Sequence, residues 1–562
     1  MKRGWLFLLG LLLVFGGGFL AGRVQTADGI TVTDVAVPGA DGVTLRALLY
    51  VPKGATAKTP APGVLAVHGY INSRETQDGF AIEFARRGYV VLALDQTGHG
   101  ASGGAAFSQG FGGPAGLAYL RSLPMVDKAN IGLEGHSMGG WTVLAAAAVM
   151  PRDYRSVVLE GSSTGKPFAA EGTAFWPRNL ALVYSRYDEF APLMWGVPRA
   201  ADVGSGDKLR AVFGTPGPVV ADKLYGDVEL GTARILWQPA TTHPGDHISR
   251  EAIGRATDWF AQTLEGGTPR PAGDQIWMWK ELGTALALGG FVTLMLGAFE
   301  LLLALPVFAG LRHAGQAIVQ ERDSRWRLNA ALTALIPAVT YLPLFLVGAL
   351  AGFNTVAPQW ITNQLLVWAL GNAAITLLLG LVLKGDKPRF DTRWPASIAI
   401  AALSVAVGYA ALLASEKLFL TDFRFWVLAV RPMTGDQWKS FAVYVLPFTA
   451  FFLVTLRAFC ARLPVQGDSW LQSYGWAKWA MGGGFALFLL IAYGGLFLTG
   501  ALPPLFDPLA SIIAIQFWPL LATVGVVAMF TWRRTNSYVP GAILCGLAVT
   551  WYIVAGTATH IV

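Results

Sequence analysis

Gly135-His136-Ser137-Met138-Gly139 sets a serine between two glycines, with a β-like run, ANIGLEGHS, leading into it and a helix-forming run, WTVLAAAAVM, leaving it. A serine hydroxyl is a weak nucleophile until a neighbouring base takes its proton and donors receive the oxyanion it creates. A G-x-S-x-G turn between strand and helix suits that task. The turn is too tight for flanking side chains, and it holds the serine in a strained conformation above the sheet. The Met138 N–H, at a helix N-terminus, would point toward the developing oxyanion. Partners follow in chain order. Carboxylates stand at Glu160 in VVLEGSS and at Asp188 and Glu189 in YSRYDEFAP, and histidines at His243 and His247 in WQPATTHPGDHISREA. His243, Asp246 and His247 also suggest a zinc site, but two histidines and one aspartate on one loop are a thin ligand set. Serine chemistry needs no metal and no cofactor.

Alternating strand-like and helical runs must position these groups. TVTDVAV and VTLRALLYV, joined through Gly39-Ala40-Asp41-Gly42, read as an opening hairpin. PGVLAVHG, YVVLALD, ANIGLEGHS, RSVVLEGSS, NLALVYS and TARILWQP read as buried strands. GFAIEFARRG, WTVLAAAAVM and ISREAIGRATDWFAQTL read as helices, the last with Ile253, Ala256 and Phe260 on one face. The pattern predicts an α/β domain with a mostly parallel sheet covered on both faces. Ligand sites in such sheets lie beyond the carboxyl ends of the strands. Each candidate residue follows a strand.

Over roughly residues 30–265 the chain resembles the α/β-hydrolase fold serine hydrolases. The resemblance rests on HGY at 68–70, DQTGHGAS at 95–102, the GHSMG elbow, and the order Ser, Asp, His. It implies that the Tyr70 backbone N–H completes the oxyanion hole with Met138. It makes His68, Asp95 and His99 structural residues, and Asp188, in a loop resembling the family's acid loop, the acid. Glu160 is the alternative acid, and Ser185 stands where the family usually has glycine. His243 resembles the family's base, sixteen residues before Trp259. His247 is the alternative base, set near a helix start whose dipole disfavours an imidazolium. The implied reaction is hydrolysis of an acyl ester or related acyl bond on a small-molecule, lipid or peptide substrate. A peptidase, an acyltransferase, or a transporter or receptor with a hydrolase-like binding domain are the competing readings. Met194, Trp195 and Phe213, in the long segment between acid and last strand, are candidate contacts for the acyl chain.

The rest of the chain is built for lipid. Of 562 residues 54% are hydrophobic and only 14% charged, with 20 tryptophans; a soluble domain is nearer a quarter charged. The net charge of +7 comes with no basic stripe interleaved with aromatics, which argues against nucleic acid. Apolar spans are expected near 282–309, 329–351, 362–383, 396–415, 441–459, 480–500, 509–531 and 538–559, eight in all. A ninth lies at Trp5–Ala21, which reads as a signal anchor, with a cleaved signal peptide as the alternative. The organisation expected is 1–23 anchor, 24–270 α/β domain and 275–562 all-α transmembrane bundle. Cations gather in alternate loops: Arg312, Arg322, Arg325 and Arg327; Lys384, Lys387, Arg389 and Arg393; Arg462 and Lys478; Arg533 and Arg534. The loops FNTVAPQW and ALPPLFDP have none. The positive-inside bias puts the cationic loops in the cytoplasm and the α/β domain outside it, in an integral protein of a bacterial plasma membrane. The 416–440 connection, with Lys417, Arg424, Arg431 and Lys439, breaks the alternation, and its FRFWVLAV stretch is expected to lie as an amphipathic segment on the outer surface. Glu300, inside its span, is a candidate functional carboxylate or a hydrogen-bonded structural one. Cys460 and Cys545 form neither a disulfide framework nor a metal pattern, and no feature assigns an oligomeric state.

Overall fold

Short runs of branched and aromatic residues form eight strands: β1 (Thr31–Pro38), β2 (Thr44–Val51), β3 (Ala61–Val67), β4 (Val90–Leu94), β5 (Val126–His136), β6 (Ser156–Glu160), β7 (Leu180–Val183) and β8 (Arg234–Trp237). The computed structural model describes residues 4–312, 321–352, 354–382, 392–465 and 467–560. Of the residues singled out above, Lys384, Lys387, Arg389 and Phe353 of FNTVAPQW lie outside those described. One sheet runs in the order β1-β2-β4-β3-β5-β6-β7-β8. β1 pairs antiparallel with β2, and β2 antiparallel with β4; every later neighbour is parallel. Parallel strands buried on both faces read as continuous apolar runs, and β3, β4, β6, β7 and β8 do so. Helices Gly113–Ser122 and Met138–Val149 cover one face, meeting Leu65 and Val67. Helices Asp78–Arg86 and Arg250–Thr263 cover the other, meeting Val64 and Ala66. Ile253, Ala256 and Phe260 are fully buried there, as their spacing predicts. Helix Gly113–Ser122 escaped the sequence pattern because glycines and Pro114 fill its first turn, where proline is tolerated.

Eight described helices are long and apolar enough to cross a membrane, or nine if the bent pair Ser324–Val339 and Tyr341–Leu350 is one span. The others are Trp5–Gln25, Trp277–Leu302, Trp360–Val382, Trp394–Phe419, Gly435–Arg462, Trp470–Thr499, Pro508–Thr535 and Val539–Gly556. Trp5–Gln25 lies against Trp277–Leu302 with backbones in near contact. A Cβ on Gly17 would come within 2.3 Å of the Gly283 carbonyl oxygen, and one on Gly290 within 2.7 Å of the Val14 nitrogen. Small residues at such seams let helices gain close packing where lipid offers no hydrophobic drive.

The α/β domain sits on one end of the bundle. The Ile276 and Trp277 amides both donate to the Glu83 carboxylate, so the first bundle helix starts on the domain. The 416–440 connection departs from expectation. FRFWVLAV is not a surface amphipathic segment but a hairpin, Phe423–Phe425 with Leu428–Val430, wedged between the two halves. Arg424 is buried in it, donating to Ser73 (3.0 Å), Thr76 (2.9 Å) and Asp422 (2.7 Å) and lying 3.8 Å from Glu75. Asp422 and Glu75 thus neutralise the buried Arg424, one of the four cations of this connection, while Lys417 and Lys439 are exposed. The described loop cations Arg312, Arg322, Arg325, Arg327, Arg393, Arg462, Arg533 and Arg534 sit at or beyond the opposite helix ends, whereas Lys478 is not in a loop but eight residues into helix Trp470–Thr499. Glu300 is not deep in its span: it lies two residues from the end of Trp277–Leu302 and pairs with Arg534 at 3.0 Å. That makes it a helix-end ion pair near the bundle's far surface.

Candidate active site

β5 runs straight into the serine. Ser137 takes φ 55° and ψ −121°, the strained conformation its neighbours foretold. Its N–H donates to the Glu160 carbonyl on β6 (2.8 Å), and its carbonyl accepts from Ser162 Oγ (2.6 Å) and the Gly140 N–H (2.9 Å). Both flanking glycines are sterically required. A Cβ on Gly135 would lie 2.3 Å from Gly139 backbone atoms, and one on Gly139 would lie 2.0 Å from the Val67 carbonyl oxygen. Helix Met138–Val149 begins at once, so the Met138 N–H stands at its N-terminus. The loop after β3 comes close from the other side: a Cβ on Gly69 would be 3.1 Å from Ser137 Cβ, which puts the Tyr70 backbone beside the serine.

Beyond β8, His243 Nδ1 donates to Asp188 Oδ2, beyond β7, at 2.8 Å. Both residues are buried, with 5% and 2% of their surface exposed. Asp188 Oδ1 accepts from the Phe190 N–H (2.8 Å) and Tyr184 hydroxyl (3.3 Å), which fixes the carboxylate. Burial lowers the affinity of His243 for a proton, but the attraction of Asp188 outweighs it, and the imidazole stands above its ordinary value of 6.5. With Nδ1 committed, Nε2 is the nitrogen left to take a serine proton. The Glu189 carboxylate accepts the His243 backbone N–H (2.8 Å); burial and then the charge of Asp188 push it up to about 7. His136, just before the serine, donates from Nε2 to the His243 carbonyl (2.9 Å) and so ties the elbow to the histidine loop.

The other sequence candidates occupy different places. His247 does not meet Asp188. It packs at a tilt on His136 with centroids 4.0 Å apart, and burial drives its pKa well down, so it is a neutral packing group. Asp246 accepts from Ser185 Oγ, which gives the serine at the family's glycine position a role. His243 turns Nδ1 to Asp188, Asp246 accepts from Ser185 and His247 packs on His136, and among the described residues no three His, Cys, Asp or Glu side chains are set to hold one ion. Glu160 ends β6 fully buried, with no partner for either carboxyl oxygen among the described residues, and burial raises its pKa well above normal. It is a neutral acid under the site and makes no hydrogen bond to either histidine. His68 is held between the Gly69 carbonyl (2.7 Å) and the Gln96 N–H (3.2 Å), and Asp95 accepts from the Arg74 and Ala101 amides. His99 is pushed down to about 3 by burial. Met194, Trp195 and Phe213 are packed in the domain core, 2%, 2% and 5% exposed, and do not line an open cleft. Their segment folds as helices Ala191–Trp195 and Asp207–Phe213 that turn these side chains inward, and the Trp195 indole N–H donates to the Ser162 carbonyl (3.1 Å).

The mouth of the site is partly made by the helical half, which no sequence motif announces. The Thr559 amide donates to the Gly98 carbonyl (2.8 Å) and its carbonyl accepts the Ala106 N–H (2.7 Å). His560 Nε2 meets the Tyr70 hydroxyl at 2.8 Å. Tyr70, Phe107 and Phe168 stack in succession at 5.4 Å spacings, and Trp141 and Phe111 pack on Phe168. The hairpin also reaches the histidine loop, where the Trp426 indole N–H donates to the Pro244 carbonyl at 2.6 Å. The only sequence signal was a solitary histidine and tryptophan beside apolar runs.

This strand order, with its second strand reversed and a serine elbow after the fifth, defines the α/β-hydrolase fold. Residues 58–187 match the family model described as serine aminopeptidase, S33. A monoacylglycerol lipase of Mycolicibacterium smegmatis is 34% identical over 110 residues, 18% of this chain and 38% of the lipase. The chain therefore spans about two fifths of the length of the curated relative it matches. Among solved structures, a Pyrococcus furiosus esterase aligns at 20% identity over 42% of this chain and 92% of its own, with a TM-score of 0.31. A hypothetical protein of Pseudomonas aeruginosa aligns at 28% identity over 24% of this chain and 44% of its own, with a TM-score of 0.22.

Proposed function

We propose that this protein is a membrane-embedded serine hydrolase that cleaves acyl esters at the bilayer surface. Ser137 is the nucleophile, His243 the base and Asp188 the group that orients and charges it. The observation that carries the reading is the 2.8 Å His243–Asp188 hydrogen bond beyond β8 and β7, with a strained serine beyond β5 at the same edge of the parallel strands. His243 removes the Ser137 proton as Oγ attacks the acyl carbonyl, and the Met138 and Tyr70 amides stabilise the oxyanion. His243 then returns the proton to the leaving alcohol, and water releases the acyl group by the same steps. No metal or cofactor enters these steps. The matched family model carries a peptidase name, which keeps peptide bonds as the second reading. The lipase relative and the apolar helices roofing the site favour esters.

The domains are an anchor at 1–23, kept in the bundle by the Gly17–Gly283 seam, a hydrolase domain at 24–270 and a membrane domain at 275–562. The hydrolase domain lies outside the cytoplasm, because the loop cations sit at the opposite helix ends. A membrane-impermeant fluorophosphonate applied to whole cells tests both parts. Wild type should be labelled and Ser137→Ala should not. Equal labelling of the two would end the serine reading, and labelling only after lysis would reverse the orientation.

A further inference from the structure

Three cavities lie in line through the helical half. The first, about 20 Å³, touches the loop after β3 at Ile71 and Asn72, beside Tyr70, and is lined also by Arg424 and Arg431. It shares Gln516 and Tyr552 with the second, about 40 Å³, whose other walls are hydrocarbon or aromatic, among them Leu365, Ala369, Phe448 and Ile513. The second shares Phe451 and Leu521 with the third, about 80 Å³, which continues past Leu379 toward Arg462 at the bundle's far end. At the neck between the first two, the Tyr552 hydroxyl donates to Gln516 Oε1, so two polar side chains close the apolar stretch on the side nearest the serine.

We propose that this line of cavities seats the acyl chain of a membrane lipid ester, with the ester itself beyond the Ile71–Asn72 end, where the loop after β3 leads back through Tyr70 and Gly69 to Ser137. The inference rests on the hydrolase reading and names its substrate class. A polar substrate would lose its hydration against the second cavity's walls and find almost no partner there, whereas a hydrocarbon chain loses nothing on leaving lipid for it. The second cavity is apolar and is closed toward the catalytic domain by Gln516 and Tyr552, with Arg431 beyond them, whereas the third is mixed, with Asn329, Thr333, Asn372, Thr376, Thr455 and Arg462 among its walls. The length is more than a single leaflet requires. On helix Trp360–Val382, Leu365 of the second cavity and Leu379 of the third are fourteen residues apart. At 1.5 Å per residue that is about 21 Å, against about 15 Å for half of a bilayer's hydrocarbon core. The preformed space is narrow, so a chain enters by swinging Phe451 and Leu521, the two side chains that separate the lower cavities.

Two measurements on the full-length protein in lipid nanodiscs test the seat. A long-chain monoacylglycerol with a terminal diazirine is photolysed with the Ser137→Ala protein. Adducts are expected within Phe448–Phe452 and Ile513–Leu521; adducts confined to lipid-facing residues such as Leu446 and Leu490, or to the α/β domain, would overturn the proposal. In Ala369→Trp, the ratio of kcat/KM for long-chain over short-chain p-nitrophenyl esters should fall by about ten-fold or more. An unchanged ratio overturns the seat while leaving the hydrolase in place. Absence of Ser137-dependent hydrolysis of any ester by wild type would instead remove the underlying activity. Should Ala369→Trp fail to fold, both esters are lost together and the adduct map decides.

Discussion

At the level of single residues, His243 as the proposed base should set the working pH. Only the neutral ring accepts the Ser137 proton, so kcat/KM should rise with pH as His243 loses its own. Because Asp188 holds that ring above 6.5, the acid limb should have its midpoint above 6.5. Asp188→Asn removes the charge and offers Nδ1 an amide; the midpoint should move below the wild-type value, and kcat should fall by about 10⁴. A pH–rate profile of the two proteins on a short ester reads both effects. A profile unmoved by the substitution would assign the base to another group. Ser137, Asp188 and His243 were legible in the sequence because each follows a strand whose apolar run is unmistakable. The choice between His243 and His247 leaned on spacing, and the structure adds the reason: His247 turns away to pack on His136. Tyr70 meeting His560 was not legible, since no local pattern joins residues so far apart in the chain.

Among elements, the eight strands of the main sheet and the described apolar helices were written in periodicity and length, while two packing features were not. The hairpin at 423–430 looked amphipathic because alternate apolar and polar residues serve a membrane surface and a buried strand pair equally well. The seam between Trp5–Gln25 and Trp277–Leu302 was hidden in glycines spaced seven apart at Gly283, Gly290 and Gly297, a spacing meaningful only once the two helices are known to touch. Gly290→Leu places its side chain on Leu13 and Val14, and overpacking of this kind costs about 1–3 kcal/mol. Thermal unfolding in detergent, followed by loss of fluorophosphonate labelling, should show a lower midpoint for Gly290→Leu than for wild type. An equal midpoint would mean that the seam contributes nothing.

For the whole molecule, the joint between its halves rests on buried charge. Glu75 lies between Arg74 and Arg424; burial alone would raise its pKa, but the two guanidinium groups hold it well below the usual carboxylate range. Arg424→Met leaves Asp422 and Glu75 short of a partner, and breaking one side of a buried pair costs about 3–5 kcal/mol. The expected outcome is a hydrolase domain that loosens from the bundle, read as faster proteolysis of the 264–276 linker; unchanged cleavage would show that the joint stands without Arg424. The paired backbone of Thr559 with Gly98 and Ala106 has a consequence in time. The α/β domain leaves the ribosome early and can close its sheet while the membrane helices are still being made. Its mouth is finished only when the segment after helix Val539–Gly556 arrives to bind Gly98 and Ala106. Synthesis order thus acts as a delay: the site is first complete when the apolar helices before Thr559 have already been made.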